Sequence, residues 1–173
     1  MINSVCIFGD SVAKGVVFDA VRNKYSLLKE SFVNILERQQ NISIFNFARF
    51  GCTISMGSKI LTRHEDELNH FDYTILEFGG NDCDYNWSEI AEDPAGQHLC
   101  NTPISQFREK YIELIGRVLQ SGGRPVLLNL PPIDAKRYFE WISRGLNGQN
   151  ILTFLGDVEF IYRWQEMYSK AVE

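Results

Sequence analysis

The run Ser4-Val5-Cys6-Ile7-Phe8-Gly9-Asp10-Ser11 decides the fold of this chain. Val5 to Phe8 is short and apolar and is closed by Gly9, the pattern of a buried strand. The strand stops in a turn that presents Asp10 and Ser11. In open α/β sheets the carboxyl ends of the strands line the binding crevice. Ser11 is therefore delivered where a nucleophile is useful.

Working outward, Ile42–Phe47, Tyr73–Phe78 and Pro125–Leu130 read as further strands. The second of these halts at Gly79-Gly80-Asn81-Asp82 and the last at Pro131-Pro132. Helices are expected over Glu30–Gln40, with Phe32, Ile35 and Leu36 on one face, and over Ser55–Asn69 and Ile104–Gln120. Two more follow over Arg137–Arg144 and Asp157–Val172. Residues 12–29 open as a short helix and then show no clear period. Residues 83–102 form a polar connection broken by Pro94 and Gly96, long enough to mark a functional loop. Strands alternating with helices imply right-handed crossovers and a parallel sheet covered on both faces. The expected fold is a three-layer α/β/α sandwich with a parallel, flavodoxin-like sheet.

Composition narrows the class. A chain of 173 residues that is 45% hydrophobic can bury one real core. The net charge of −5 is spread along the chain, with no basic stripe, so nucleic acid is not an expected partner. No basic segment leads into a long apolar one, and no apolar run reaches the roughly 20 residues of a membrane span. A cytoplasmic setting is the expectation. Cys6, Cys52, Cys83 and Cys100 show no Cys-x-x-Cys spacing, which argues for free structural thiols rather than zinc ligands.

Three loops should open on one edge of the sheet: Gly9-Asp10-Ser11, Arg49-Phe50-Gly51 and Gly79-Gly80-Asn81-Asp82. Acyl transfer needs a nucleophilic oxygen, donors around the developing oxyanion and a base. Ser11 supplies the oxygen. Its own N–H, the N–H of Gly51 and the side-chain NH2 of Asn81 are candidate oxyanion donors. Asp10 is read as fixing the turn, Gly79 and Gly80 as permitting a tight turn with positive φ, and Asp82 as bracing the loop, with Asp10, Gly80 and Asp82 bordering the substrate. Arg49, Tyr85, Trp87 and Trp141 are candidates to line a pocket.

On these residues the chain resembles the GDSL-like, or SGNH, hydrolase family of esterases and lipases. The family's blocks match as Phe8-Gly9-Asp10-Ser11-Val12, with valine where leucine is usual, as Gly51, and as Gly79-Gly80-Asn81-Asp82. The resemblance implies a serine esterase for a small-molecule ester, a lipid or an acetylated carbohydrate, with no metal or organic cofactor. The family's fourth block, Asp-x-x-His, is not matched: no histidine follows Leu130. His64 and His70 fall on the expected helix before the third strand, away from Ser11, and His98 lies in the long loop, where it could overhang the crevice. Residues 1–173 thus read as a single domain ending short of the family's last strand and catalytic loop, and the expectation is an esterase that is incomplete or inactive as given. Two rivals stand beside the esterase: a non-catalytic ligand-binding module with the same crevice, and a flavodoxin-like phosphate binder. The absence of a Gly-x-Gly-x-x-Gly loop counts against the latter.

Overall fold

In the computed structural model, which describes residues 2–173, the chain opens with β1 (Ser4–Gly9) and a single helical turn, α1 (Ser11–Lys14). A hairpin of β2 (Val16–Asp19) and β3 (Lys24–Leu27) follows, then α2 (Phe32–Gln40), β4 (Ser43–Asn46) and α3 (Ile54–Leu61). A 3-10 turn over Glu65–His70 leads into β5 (Tyr73–Glu77). After it come α4 (Trp87–Glu92), α5 (Ile104–Gln120), β6 (Pro125–Leu127), α6 (Ala135–Ile142), α7 (Gly148–Leu155) and α8 (Phe160–Val172).

The main sheet is parallel and runs β4-β1-β5-β6. Val5 sits opposite both Ile44 and Tyr73, and Thr74 opposite Pro125. In this flavodoxin-like order the strand sequence reverses between β1 and β5, the crevice position of open α/β sheets. The loops after β1 and β5, which carry Ser11 and Asn81, meet there.

The two faces are covered unequally. Cys6, Phe8 and Leu76 point into the larger core with Leu61, Leu114, Ile161 and Trp164, from α3, α5 and α8. Ile7 lies on the other face with Ala13, Ala48 and Val33 of α2, and Ile44 and Ile75 pack against them. The sandwich therefore has one thick helical layer and one thin one. Beside α2 the thin side leaves a hollow of about 590 Å3 lined by Ile2, Val5, Leu36 and Ile75.

Several expectations are corrected. Residues 16–27 form an antiparallel hairpin, with Val16 opposite Leu27; its alternation is blurred by the polar turn at Arg22-Asn23, where Asn23 takes a positive φ of 49°. The expected helix Ser55–Asn69 is broken after Leu61 and resumes as the 3-10 turn. The long polar segment contains α4, which buries Trp87 and Ile90, and α7 was not anticipated. On α2 it is Val33 that is buried, whereas Phe32 and Leu36 are exposed, because one thin layer covers only one row of the helix.

Candidate active site

Gly9 ends β1 where an added Cβ would stand 2.7 Å from Glu77 Oε2, so the strand can approach its neighbour only without a side chain. Asp10 then caps α1: its Oδ1 accepts from Val12 N at 2.8 Å. This is the local hydrogen bonding expected of an aspartate that ends a strand and starts a helix. Ser11 is the first helical residue and half-buried. Among the described residues, neither its Oγ nor its backbone N–H has a hydrogen-bond partner.

Asn81 is brought to the same place. Its Nδ2 donates to Asp10 Oδ2 at 2.9 Å and to the Cys52 carbonyl at 3.3 Å. Asp10 therefore links the first loop to the third, and Asn81 links the third to the second. Gly51 takes a φ of +68°, left-handed backbone that glycine adopts without strain, and an added Cβ there would meet nothing. It lies one residue before the carbonyl that Asn81 holds.

Asp82 is fully buried and turned away from the crevice. Its carboxylate accepts from Ile54 N, the first amide of α3, at 3.0 Å and from Thr102 Oγ1 at 2.6 Å. Thr53 makes no side-chain cap of its own, so Asp82 caps α3 from across the loop. Burial pushes its carboxyl up to about 6.

One residue of this site escaped the sequence reading. Glu77, the last residue of β5, is 4% exposed, and its Oε2 accepts from Asp10 N at 3.1 Å and Ala13 N at 3.4 Å. Burial, and then the charge of Asp10, pushes its carboxyl up to about 8. Burial also raises Asp10, while a hydrogen bond from Glu77 favours its ionised form. Two carboxyls this close cannot both ionise cheaply, and burial beside Asp10 favours the protonated form of Glu77. In the sequence Glu77 reads as an ordinary strand residue; only the pairing of Gly9 with Glu77 discloses its task.

The site opens into a hollow of about 280 Å3 lined by Asp10, Ser11, Gly80 and Asn81. Tyr25, Phe50, Tyr138, Trp141 and Trp164 form aromatic walls. Asp84 is set among them; its Oδ1 accepts from Tyr138 Oη at 2.6 Å and Trp87 Nε1 at 2.8 Å, and burial raises its carboxyl. Of the pocket candidates, Trp141 lines this hollow and Arg49 lines a neighbouring one. Tyr85 and Trp87 instead pack in the thick core, against Trp164 at 5.4 and 5.6 Å between ring centroids. The hairpin closes over the crevice because Phe18 packs on Trp141 at 4.5 Å and Tyr25 on Phe50 at 4.7 Å.

The histidines stand elsewhere. His64 stacks on Phe47 at 4.0 Å with Nδ1 3.3 Å from Glu67 Oε1, and His70 ends the 3-10 turn. His98, which could have overhung the crevice, instead packs on Phe154 at 5.4 Å with Nε2 2.7 Å from the Asp93 carbonyl. All four cysteines are free thiols, and burial pushes Cys6 and Cys52 up to about 11, which keeps them protonated and inert. Among the described residues no helix is long and apolar enough to cross a membrane.

The comparisons agree with this fold. The lipase/acylhydrolase from Enterococcus faecalis is 17% identical, with 94% of this chain and 73% of that chain covered at a TM-score of 0.55. The SGNH-hydrolase family esterase AlinE4 is 19% identical, with 90% and 78% covered at 0.51. The psychrotrophic esterase EstA from Pseudoalteromonas sp. is 17% identical, with 84% and 74% covered at 0.50. At such identities these likenesses speak for the fold. A search of curated protein sequences finds no match. The family profile described as GDSL-like Lipase/Acylhydrolase, however, matches residues 5–170. With nearly the whole chain matched, and with Ser11 and Asn81 meeting at the switch point of its sheet, this protein belongs to the GDSL-like lipase/acylhydrolase family.

Proposed function

We propose that this protein is a serine ester hydrolase in which Ser11 is the nucleophile. The observation that carries the reading is the convergence of Asp10, Ser11, Gly80 and Asn81 on one aromatic-walled hollow. Ser11 Oγ adds to the ester carbonyl carbon and gives its proton to a base that no described histidine supplies. The carbonyl π pair moves onto the oxygen, and the alcohol then leaves as the acyl-Ser11 ester forms, for water to hydrolyse. The N–H groups of Ser11 and Gly51 and the Nδ2 of Asn81 then hold the oxyanion, which replaces the longer of Asn81's two bonds, that to the Cys52 carbonyl. Asp10 and Glu77 fix the turn rather than touch the ester. A hollow of about 280 Å3 suits a short acyl or acetyl group, with a lipid or an acetylated carbohydrate as its carrier.

A fluorophosphonate probe and short p-nitrophenyl esters test this directly. Wild type should be labelled, and Ser11→Ala should lose both labelling and turnover, the latter by on the order of a thousandfold or more. Labelling that persists in Ser11→Ala overturns the assignment. A second reading, a crevice that binds an acyl or glycan ligand without cleaving it, is favoured by the placement of all three histidines away from Ser11. It predicts ligand binding with neither labelling nor turnover.

A further inference from the structure

A second and larger hollow, of about 610 Å3, lies beside the Ser11 pocket. Tyr25 and Phe50 line both, so their touching rings form the shared wall. Most of the surface is apolar, from Val16, Leu27, Phe47 and Ile60. Two cations enter it, Lys14 from the end of α1 and Arg49 from the loop after β4. No aspartate or glutamate lines it among the described residues.

The hollow is cationic although the molecule as a whole is acidic. The molecule carries a net charge of −5, and Arg22, Arg38, Arg117, Arg163 and Lys170 are each held by a carboxylate. The side chains of Lys14 and Arg49 make no ion pair or hydrogen bond among the described residues. The charge of His64, on the same wall, would be balanced by Glu67 at 3.3 Å. Two uncompensated cations in a concave, apolar setting focus a positive potential, because low-dielectric walls screen it less than open water does. An apolar ligand alone would not use the cations, and an inorganic anion alone would not use the walls.

We propose that this hollow binds the anionic end of an amphiphilic ester, a phosphate or carboxylate carried on an apolar chain, beside the acyl group presented to Ser11. The placement of the acyl group rests on Ser11 being the nucleophile; the anion binding does not.

Calorimetry on the full chain with uncleavable ligands of one chain length tests it: octyl phosphate, octanoate, neutral octyl glucoside and cationic octyltrimethylammonium, with inorganic phosphate as the chainless control. Octyl phosphate or octanoate should bind at least about tenfold more tightly than the neutral and cationic ligands and than inorganic phosphate, and several-fold more weakly at high salt. The double variant Lys14→Gln/Arg49→Gln should raise the Kd of the anionic ligands about tenfold and leave that of octyl glucoside alone. Ser26→Glu, which adds a carboxylate to the lining, should do the same without removing either cation. Equal affinity for all charge types, inorganic phosphate binding as tightly as octyl phosphate, or anion binding indifferent to both variants would overturn the proposal. Because these ligands report no turnover, a wild type that the fluorophosphonate does not label, with intact anion binding, counts against Ser11 alone, while labelling of the wild type without anion binding refutes the anion site alone.

Discussion

Asp10 joins three parts of the site through one carboxylate: it caps α1, accepts from Asn81 and shares a hydrogen bond with Glu77. Asp10→Ala removes the cap and takes one partner from each of Asn81 and Glu77, leaving Asn81 the Cys52 carbonyl and Glu77 the two backbone amides. It should cost about 1–3 kcal/mol in a urea titration. Asn81→Ala should lower kcat by about 100- to 1000-fold, the usual effect of losing an oxyanion donor, on any ester that the wild type cleaves. Glu77 makes stability depend on pH with a definite sign. Its carboxyl rises from the ordinary 4.5 to about 8 in the folded protein, so the fold holds a proton that the unfolded chain gives up. Its contribution is full below about 4.5 and is lost as pH rises through about 8. Thermal melts from about pH 5 to pH 9 should therefore show the wild type losing stability relative to Glu77→Gln. A constant difference between the two across that range would refute the raised carboxyl of Glu77.

Two glycines in helices show how packing, rather than propensity, sets the cost of a methyl group. Gly57 in α3 lies against the Phe78 ring, which a Cβ would overlap. Gly57→Ala should destabilise by about 1–3 kcal/mol, as overpacking of a filled core does. Gly116 in α5 faces open space, where a Cβ meets nothing within 4 Å. There the lower backbone entropy of alanine in the unfolded chain is the main term, and Gly116→Ala should stabilise by about 0.5–1 kcal/mol. Denaturant melts of the two variants should move in opposite directions. α5 was legible in the sequence to the residue, Ile104–Gln120, because its apolar positions Phe107, Tyr111, Leu114 and Val118 keep helical spacing and all are buried. The Ser55–Asn69 segment misled because its charged second half, from His64 to Asn69, keeps a helical look while turning in a tighter 3-10 path.

At the scale of the molecule, the crevice is roofed by an element that the main sheet does not include. The β2–β3 hairpin is joined to α6 by Phe18 and Tyr25 against Trp141, with the Arg144 guanidinium 4.6 Å above the Trp141 ring. Trp141→Ala removes these contacts, each aromatic pair worth about 0.5–1.5 kcal/mol. Hydrogen exchange should quicken by about tenfold or more in the amides of β2 and β3 and stay unchanged in β1 and β5. Equal protection of the hairpin in both proteins would show that the roof is held by something else. The hairpin also divides the Ser11 pocket from the cationic hollow, so both sites depend on how it sits.

By itself the sequence determined the alternating α/β class and the three loops at the carboxyl edge that carry Ser11, Gly51 and Asn81, because strand ends, glycines and short motifs are local signals. Tertiary structure alone decided what surrounds them. The raised carboxyl of Glu77 and its bond from the Asp10 amide depend on residues 67 positions apart in the chain. The cap that Asp82 gives to α3, the aromatic walls from Tyr25, Tyr138 and Trp164, and the meeting of Lys14 with Arg49 likewise join segments distant in the chain. Periodicity reports which face of an element is buried, not which distant side chain it is buried against. Those partners are chosen by sheet order and by the path of the hairpin, and that choice turns a Gly-Asp-Ser turn into a walled site.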